Sequence, residues 1–570
     1  NSLGQEGYDG TNNASYIRAN TNNGVHKVLL SAQAGVSVSS QAVQTISIHA
    51  KPLGYTFLAI TTQSGNQEAY FDLANGTVGT TESDVIEAKI TPAGNGYFRC
   101  SMTVNADIAI TQINFNIALE DNNHSFTGDP NRGGTNNGGI FIQDAQWELG
   151  LVPTEIISSN GSAGTAGIKE DEPRFDYPVA GGAPSLLIEP QRQNLMEHSE
   201  YMASYDFSTS RVNVTSNHGI SPEGVKNSTL VSNTTETGNK RLYGSNAFSV
   251  TSGTSYTASV FAKKGTLKKI SMEILSSSES TIGFDEAMFD LDAGTVSYIH
   301  GSSSTSDALI EDFGNGWFRC SITDAPTSTE SSARLYIYFL PDDATTAGDK
   351  NYTGSTSENV ELFGAQVEEG ASATSYIPTH GATATRSTDN VAALDTSGFS
   401  FGTTCTIFFE GVINEPTASH VRPVTMFGSH GSPTTAERYL LFGGTFSGST
   451  YTLTSKHNTT PSSSLVETSL TKAGLTIGAK VKCASVFSGT SFKFFVNGAL
   501  ADSGGTATVT AASIFNSLDL SQITGDQNHA VGSIILWGSA VSNLDALVLT
   551  DTNYGSYSEM VNSLSYTQHG

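Results

Sequence analysis

Gly314-Asn315-Gly316-Trp317-Phe318-Arg319-Cys320 repeats, with one aromatic exchanged, an earlier phrase, Gly94-Asn95-Gly96-Tyr97-Phe98-Arg99-Cys100. The two lie 220 positions apart (320 − 100). Upstream of each is a second matched phrase, Phe71-Asp72-Leu73-Ala74-Asn75-Gly76-Thr77-Val78 and Phe289-Asp290-Leu291-Asp292-Ala293-Gly294-Thr295-Val296. Downstream is a third, Ala145-Gln146-Trp147-Glu148-Leu149-Gly150 and Ala365-Gln366-Val367-Glu368-Glu369-Gly370. Three phrases in one order, at offsets of 218 (289 − 71) and 220 (366 − 146), mean that one domain occurs twice. Asn75-Gly76 and Ala293-Gly294 sit where a tight hairpin turn belongs. Tyr256–Ala262 and Ala333–Phe339 alternate with period two, as a sheet with one wet face requires.

Working outward, the first copy covers 1–157 and the second 186–392. The Gly/Ser/Ala stretch inside 158–185 reads as a flexible connector. In the first copy Gly7-Tyr8-Asp9-Gly10-Thr11 is the expected counterpart of 221–225, and nothing before it matches 186–195. Residue 1 is therefore expected to fall inside a domain of a longer polypeptide. Residues 395–570 differ from the repeats. Thr404–Glu410, Lys480–Phe487 and Gly532–Trp537 are strand-like, Phe492–Leu500 reads as strand, Asn-Gly turn, strand, and a helical turn or two is expected at Asn543–Leu547. The fold class is all-β: three tandem β-sandwiches of jelly-roll and concanavalin A-like type.

Only 14% of the 570 residues are charged, with Ser, Thr, Gly and Asn in their place, a composition suited to turn-rich extracellular or virion-surface β proteins. The net charge of −26 argues against duplex binding, which needs clustered Lys and Arg. No stretch approaches the roughly 18 apolar residues of a membrane span. Cys100 and Cys320 hold the same position in two repeats and are not natural partners. Cys405 and Cys483 share the last domain and could pair, but four free buried thiols are favoured, and no Cys/His metal spacing occurs.

Three phrases resemble sequences common in bacteriophage fibre, spike and appendage proteins. They are Pro173-Arg174-Phe175-Asp176-Tyr177 with Leu186–Leu195, the Gly314–Cys320 phrase, and Phe363–Gly370 ending in Thr374-Ser375-Tyr376-Ile377-Pro378-Thr379. In that family they belong to jelly-roll modules similar to carbohydrate-binding modules. The first repeat departs from the pattern: Trp317 becomes Tyr97, Gly364 becomes Asp144, and Tyr376-Ile377-Pro378 has no clean counterpart after Pro153-Thr154. The last region resembles a concanavalin A-like, laminin-G-type sandwich through Phe494–Gly498 and Leu536-Trp537. The resemblance implies a virion-surface fibre or appendage that binds host-surface glycans. It also implies a homo-oligomer, most simply a trimer, attached to other virion proteins.

Trp317, Tyr97 and Phe318 are either sugar-stacking platforms or core aromatics, and their place in a framework phrase favours the core. Arg99 with Gln146 and Arg319 with Gln366 keep a separation of 47 in both repeats (146 − 99; 366 − 319), so a structural Arg–Gln or Arg–Glu contact between neighbouring strands is expected. Asp121-Asn122-Asn123 and Asp342-Asp343 are oxygen-rich turns where structural Ca²⁺ is conceivable, although neither has EF-hand spacing. Glu170-Asp171-Glu172 is an acidic patch needing no ligand. His420, His430, His457 and His529 are scattered, Gly428–Ser432 is a turn rather than a nucleophile elbow, and no catalytic constellation is legible. No catalytic, cofactor or ligand residue is assigned. The last domain is the expected ligand-facing module, through the segment 425–455 with Phe427, Tyr439, Phe442, Phe446 and Tyr451, most of which core packing would also explain. The expectation is a non-enzymatic virion adhesin. Carbohydrate-binding modules of a secreted bacterial protein and a polysaccharide depolymerase are the alternatives.

Overall fold

A computed structural model of the chain describes residues 2–20, 22–31, 42–105, 109–126, 138–159, 164, 173–177, 184–204, 206–300, 307–389, 391, 394–395, 404–415, 421–427, 439–447, 450–458, 467–488, 491–506, 517–519, 528–555 and 557–563. The chain is all-β, with antiparallel sheets packed as sandwiches.

The two repeats share one strand order. In the first, a six-stranded sheet runs Ser2–Gln5, Ala14–Arg18, Gly139–Leu149, Val43–Leu53, Tyr97–Asn105, Val85–Gly94. In the second, the sheet runs Val212–Thr215, Thr229–Asn233, Asn359–Glu369, Tyr256–Lys264, Trp317–Asp324, Asp307–Asp312. The facing sheets correspond as well. One is Lys27–Ser31, Gln112–Ala118, Phe57–Thr62, Glu68–Asp72, Thr77–Thr81; the other is Arg241–Gly244, Glu330–Leu340, Lys269–Ser276, Glu286–Asp290, Thr295–His300, widened at its edge by Phe207–Ser210. Register agrees with order: Cys100 faces Ile48 and Gln146 faces Ser47, while Cys320 faces Val260 and Gln366 faces Ser259. The inner faces form one core per repeat, with Ile48, Phe71, Cys100 and Phe115 in the first and Val260, Phe289, Cys320 and Ile337 in the second.

The repeated phrases turn out to be turn chemistry. Asp72 and Asp290 accept hydrogen bonds from the backbone of residues two and three places on, and their carbonyls accept from Gly76 and Gly294. Those glycines have φ of 67° and 64°, which a Cβ disfavours. The 7–11 turn matches 221–225: Gly7 N–H bonds Thr11 O and Gly10 N–H bonds Gly7 O, as Ser221 bonds Val225 and Gly224 bonds Ser221.

The described strands from Leu394–Asp395 to Asn528–Trp537 build a third pair of sheets. Its strand Ser185–Ile188 pairs with Asn528–Trp537 (Leu186 with Val531, Ile188 with His529), and Arg174–Asp176 extends it at the edge. Arg174–Asp176 and Ser185, expected in the 158–185 connector, and 186–188, expected in the second repeat, are thus strands of this C-terminal sheet. Leu186 and Ile188 pack in the core of the C-terminal sandwich, because that is where their apolar surface is covered. Helix Asn543–Leu549, capped by Ser542, and helix Tyr557–Ser563 cover the outer face of one sheet through Ala546, Leu549, Met560 and Val561.

All four cysteines are free and buried. Cys405 faces Phe487 and Cys483 faces Phe409. The two thiols therefore lie four positions apart along paired strands, roughly 13 Å at the strand rise, beyond the roughly 7 Å Cα limit for a disulfide.

Candidate functional site

The outer face of each six-stranded sheet holds the framework phrase under a lid. Trp317 is 1% exposed and packs with Phe261, Phe363 and Tyr376, its Nε1 donating to Ile220 O at 3.0 Å. Tyr97, equally buried, donates through its hydroxyl to Glu6 O at 2.9 Å. Both rings tie down the covering 7–11 or 221–225 turn and offer no free face to a sugar. Phe318 packs against the core.

Arg99 and Gln146 do not lie on neighbouring strands, since Val43–Leu53 runs between theirs. Each Arg instead donates to a serine on the intervening strand at 3.0 Å, Ser47 for Arg99 and Ser259 for Arg319. Each Gln holds a chain return. Gln366 Nε2 donates to Glu368 at 2.7 Å and its Oε1 accepts from Ile377 N at 2.8 Å, while Glu368 accepts from the backbone and hydroxyl of Thr374. Gln146, Glu148, Thr154 and Ile157 repeat the pattern at 220 residues' offset. Thr154-Glu155-Ile156-Ile157 is therefore the counterpart of Thr374-Ser375-Tyr376-Ile377, found by hydrogen bonding where side-chain identity had drifted.

Beside that return, Tyr376 hydroxyl contacts Ser199 Oγ at 2.6 Å and Glu200 Oε1 at 3.3 Å, and Asn227 Nδ2 donates to Glu200 and Glu223. Burial pushes the Glu200 carboxyl up to about 7, against the pull of the Tyr376 and Asn227 hydrogen bonds. Glu223 reaches solvent, so Glu200 is the buried member of the pair.

The other expected sites disperse. Asp121 accepts from Thr80 N and Oγ1, and Asp342 from Lys268 N, so both turns satisfy their own oxygens. Among the described residues no group of three or more His, Cys, Asp or Glu side chains could hold a metal ion. Glu170–Glu172, His420, His430 and 428–432 lie outside the described residues, as do the side chains of His457, Phe427, Tyr439, Phe442 and Phe446. His529 is buried, and Tyr451 is a core residue of the C-terminal sandwich.

A different face gathers aromatic and charged side chains. On the second sheet of the second repeat, residues alternate between core and outside. Leu335, Ile337 and Phe339 point into the core, and Arg334, Tyr336 and Tyr338 point to the other side, where Tyr336 and Tyr338 are themselves buried with Leu275, Met288, Leu340, Ala344 and Ala347 while Tyr243 stays half-buried. Register places Tyr243, Tyr336 and Glu273 on one rung and Arg241, Tyr338, Ser271 and Met288 on the next. Tyr243 stacks on Tyr336 at 4.9 Å and 8°, and Tyr336 on Tyr338 at 6.2 Å and 16°. Arg241 covers Tyr243 and Tyr336 while held bidentately by Glu279 at 2.8 and 2.6 Å. Lys350 lies over Tyr338 at 3.8 Å and pairs with Glu273 and Glu286, each at 2.9 Å. Burial, with the Glu273 charge beside it, raises the Glu286 carboxyl to about 7, Lys350 notwithstanding. The same face of the first repeat has other chemistry: register aligns Asn114 and Asn116 with Tyr336 and Tyr338, and Asn116 is spent on Ala59 O and Thr61. Equivalent inner positions, Phe115 and Ile337 among them, stay apolar while those on the other side change. The sequence signal was the alternating run Ala333–Phe339 read for its outward half.

No protein-family model matches the chain, and no curated protein matches it in sequence. Among solved structures, similarity reaches leech intramolecular trans-sialidase complexed with 2,7-anhydro-Neu5Ac (13% identity, TM-score 0.23, 29% of this chain and 27% of that one). It also reaches the CBM40 of Ruminococcus gnavus IT-sialidase bound to α2,6 sialyllactose (11%, 0.23, 28% and 95%). A third is the CBM22-1-CBM22-2 tandem of Paenibacillus barcinonensis Xyn10C (10%, 0.20, 62% and 92%). This chain thus spans about a quarter of the length of the trans-sialidase. Likeness at these levels assigns neither ligand nor activity here.

Proposed function

We propose that the chain is a non-catalytic glycan-binding protein whose sandwiches display sugar-recognising faces, carried on a bacteriophage virion as a fibre or appendage. The observation that carries the binding reading is the half-buried ring of Tyr243, stacked on the buried Tyr336–Tyr338 pair and edged by Arg241, Glu273 and Lys350. Aromatic faces stack on the C–H faces of sugars, and fixed charged groups hydrogen-bond ring hydroxyls. Tyr243, half-buried, is the member a sugar reaches. Single sites of this kind bind weakly, and several copies, for which a trimer is the simplest arrangement, supply avidity. The virion setting rests on the fibre-like phrases around Leu186–Leu195, Gly314–Cys320 and Thr374–Thr379.

The test is a glycan array probed with the whole chain and with Tyr243→Ala, beside an assay for reducing ends released from host polysaccharide. Sugar binding that falls about tenfold or more in the variant, without release, is the expected result. Release of reducing ends would replace the binding reading with the depolymerase alternative.

A further inference from the structure

Among the described residues of the same face, one cation has neither an ion-pair nor a hydrogen-bond partner. Arg241 is held by Glu279, Lys350 by Glu273 and Glu286, and Lys269 donates to Ala344 O at 2.7 Å. Arg334 makes no hydrogen bond or ion pair with any other described residue, and its Nε is buried without a partner. Two positions along the same strand and on the same side is Tyr336, which is fully buried and whose hydroxyl has no partner among the described residues. Residues i and i+2 on a strand stand roughly 7 Å apart, within the span of an extended arginine. Buried donors are normally satisfied, and a guanidinium fork fits a carboxylate better than it fits a neutral hydroxyl. Glu279 is the carboxylate that would oppose an incoming anion, and its bidentate pairing with Arg241 offsets its charge. The chain as a whole carries 54 acidic against 28 basic residues, so an unpaired arginine here runs against its composition.

Resting on the glycan-binding reading of this face, we infer that its ligand is an acidic glycan, with a sugar carboxylate seated on the Arg334 guanidinium and a neighbouring ring lying on Tyr243. The chemistry recognised is a carboxylate attached to a pyranose, and the contact is binding only, with no bond made or broken.

The experiment uses the full chain and calorimetric titration with galacturonate, glucuronate and mannuronate trimers, each beside the same trimer after carboxyl reduction. At least one acidic trimer is expected to bind about tenfold or more tighter than its reduced form, with the difference shrinking at high salt. Arg334→Gln abolishes the preference, and Arg334→Lys keeps part of it. Far-UV circular dichroism of each variant separates loss of binding from loss of fold. Equal binding of acidic and reduced trimers, or binding only of neutral glycans on the array, overturns the acidic class and leaves the glycan-binding reading standing. Binding of no sugar overturns both. A preference that survives Arg334→Gln overturns the assignment to Arg334.

Discussion

Gln366 is fully buried and both ends of its amide are used, one on Glu368 and one on the backbone of Ile377. Replacing it by Leu keeps the volume and leaves the Ile377 N–H buried without an acceptor. Gln366→Leu should therefore cost about 1–3 kcal/mol, read as a lower urea midpoint at unchanged slope. An unaltered midpoint would mean that the return at 374–377 is held by packing alone. Glu200 gives a prediction in pH. Its carboxyl titrates near 7 in the fold, above its ordinary value of 4.5, because burial disfavours the charge. Its contribution to stability is complete below pH 4.5 and is lost as pH rises through about 7. The chain should unfold at lower urea at pH 8 than at pH 5, and Glu200→Gln should flatten that difference. Parallel pH curves for the two proteins would count against it. These roles were only partly legible in the sequence. The constant 47-residue spacing marked Arg and Gln as structural partners, but a spacing cannot reveal the strand between them, and so the serine that each Arg contacts went unnamed.

The hairpin turn of each repeat is fixed by one aspartate and one left-handed glycine. A Cβ on Gly294 would stand 3.0 Å from the Phe318 ring, at a φ that L-residues disfavour. Gly294→Ala should destabilise the second repeat by about 1–2 kcal/mol, seen as a lowered thermal transition of that repeat. Transitions identical to the parent protein would show that the turn relaxes freely. Elements of this kind were readable because their chemistry is local: Phe-Asp-Leu-x-x-Gly-Thr names core, cap and turn in seven neighbouring positions. The tyrosine ladder was not readable in the same way. Tyr243, Tyr336 and Tyr338 come from two separated segments, and only the register of two strands makes them one surface. The expectation of a ligand face in 425–455 followed the concentration of aromatics there, of which Tyr451 packs inward. Composition alone does not tell a stacking ring from a core ring.

At the scale of the molecule, the duplication followed from offsets and the third sandwich from its strand-like segments, whereas the seam between the second and third sandwiches did not show in the sequence. Glu189, 4% exposed, joins Arg174 and Arg386, and Asp389 also accepts from Arg174 and from the Glu189 backbone. The phrase 186–195 thus binds both neighbours, and an ion network between segments 200 residues apart in sequence leaves no local trace. A fragment of residues 395–570 lacks both Ser185–Ile188 and Arg174–Asp176, so it should be soluble and protease-resistant only when extended back to residue 173. A compact, monomeric 395–570 fragment, shown by limited proteolysis and light scattering, would remove the need for those strands. In the native chain all four thiols should resist a thiol reagent that reacts with each of them after unfolding, since burial raises every one, Cys405 to about 12. Rapid labelling of the native protein would contradict the packing described. The seam also sets a schedule for biosynthesis. Leu186 waits for Val531, 345 positions further on (531 − 186), so the ribosome must deliver the whole second repeat before this strand can find its place. Until then Leu186-Leu187-Ile188 is a bare apolar segment, open to pairing with a neighbouring nascent chain. Early closure of the second repeat, which ties Arg192–Asn194 to Ala384–Arg386, brings the waiting strand close to the start of the C-terminal unit and shortens that search.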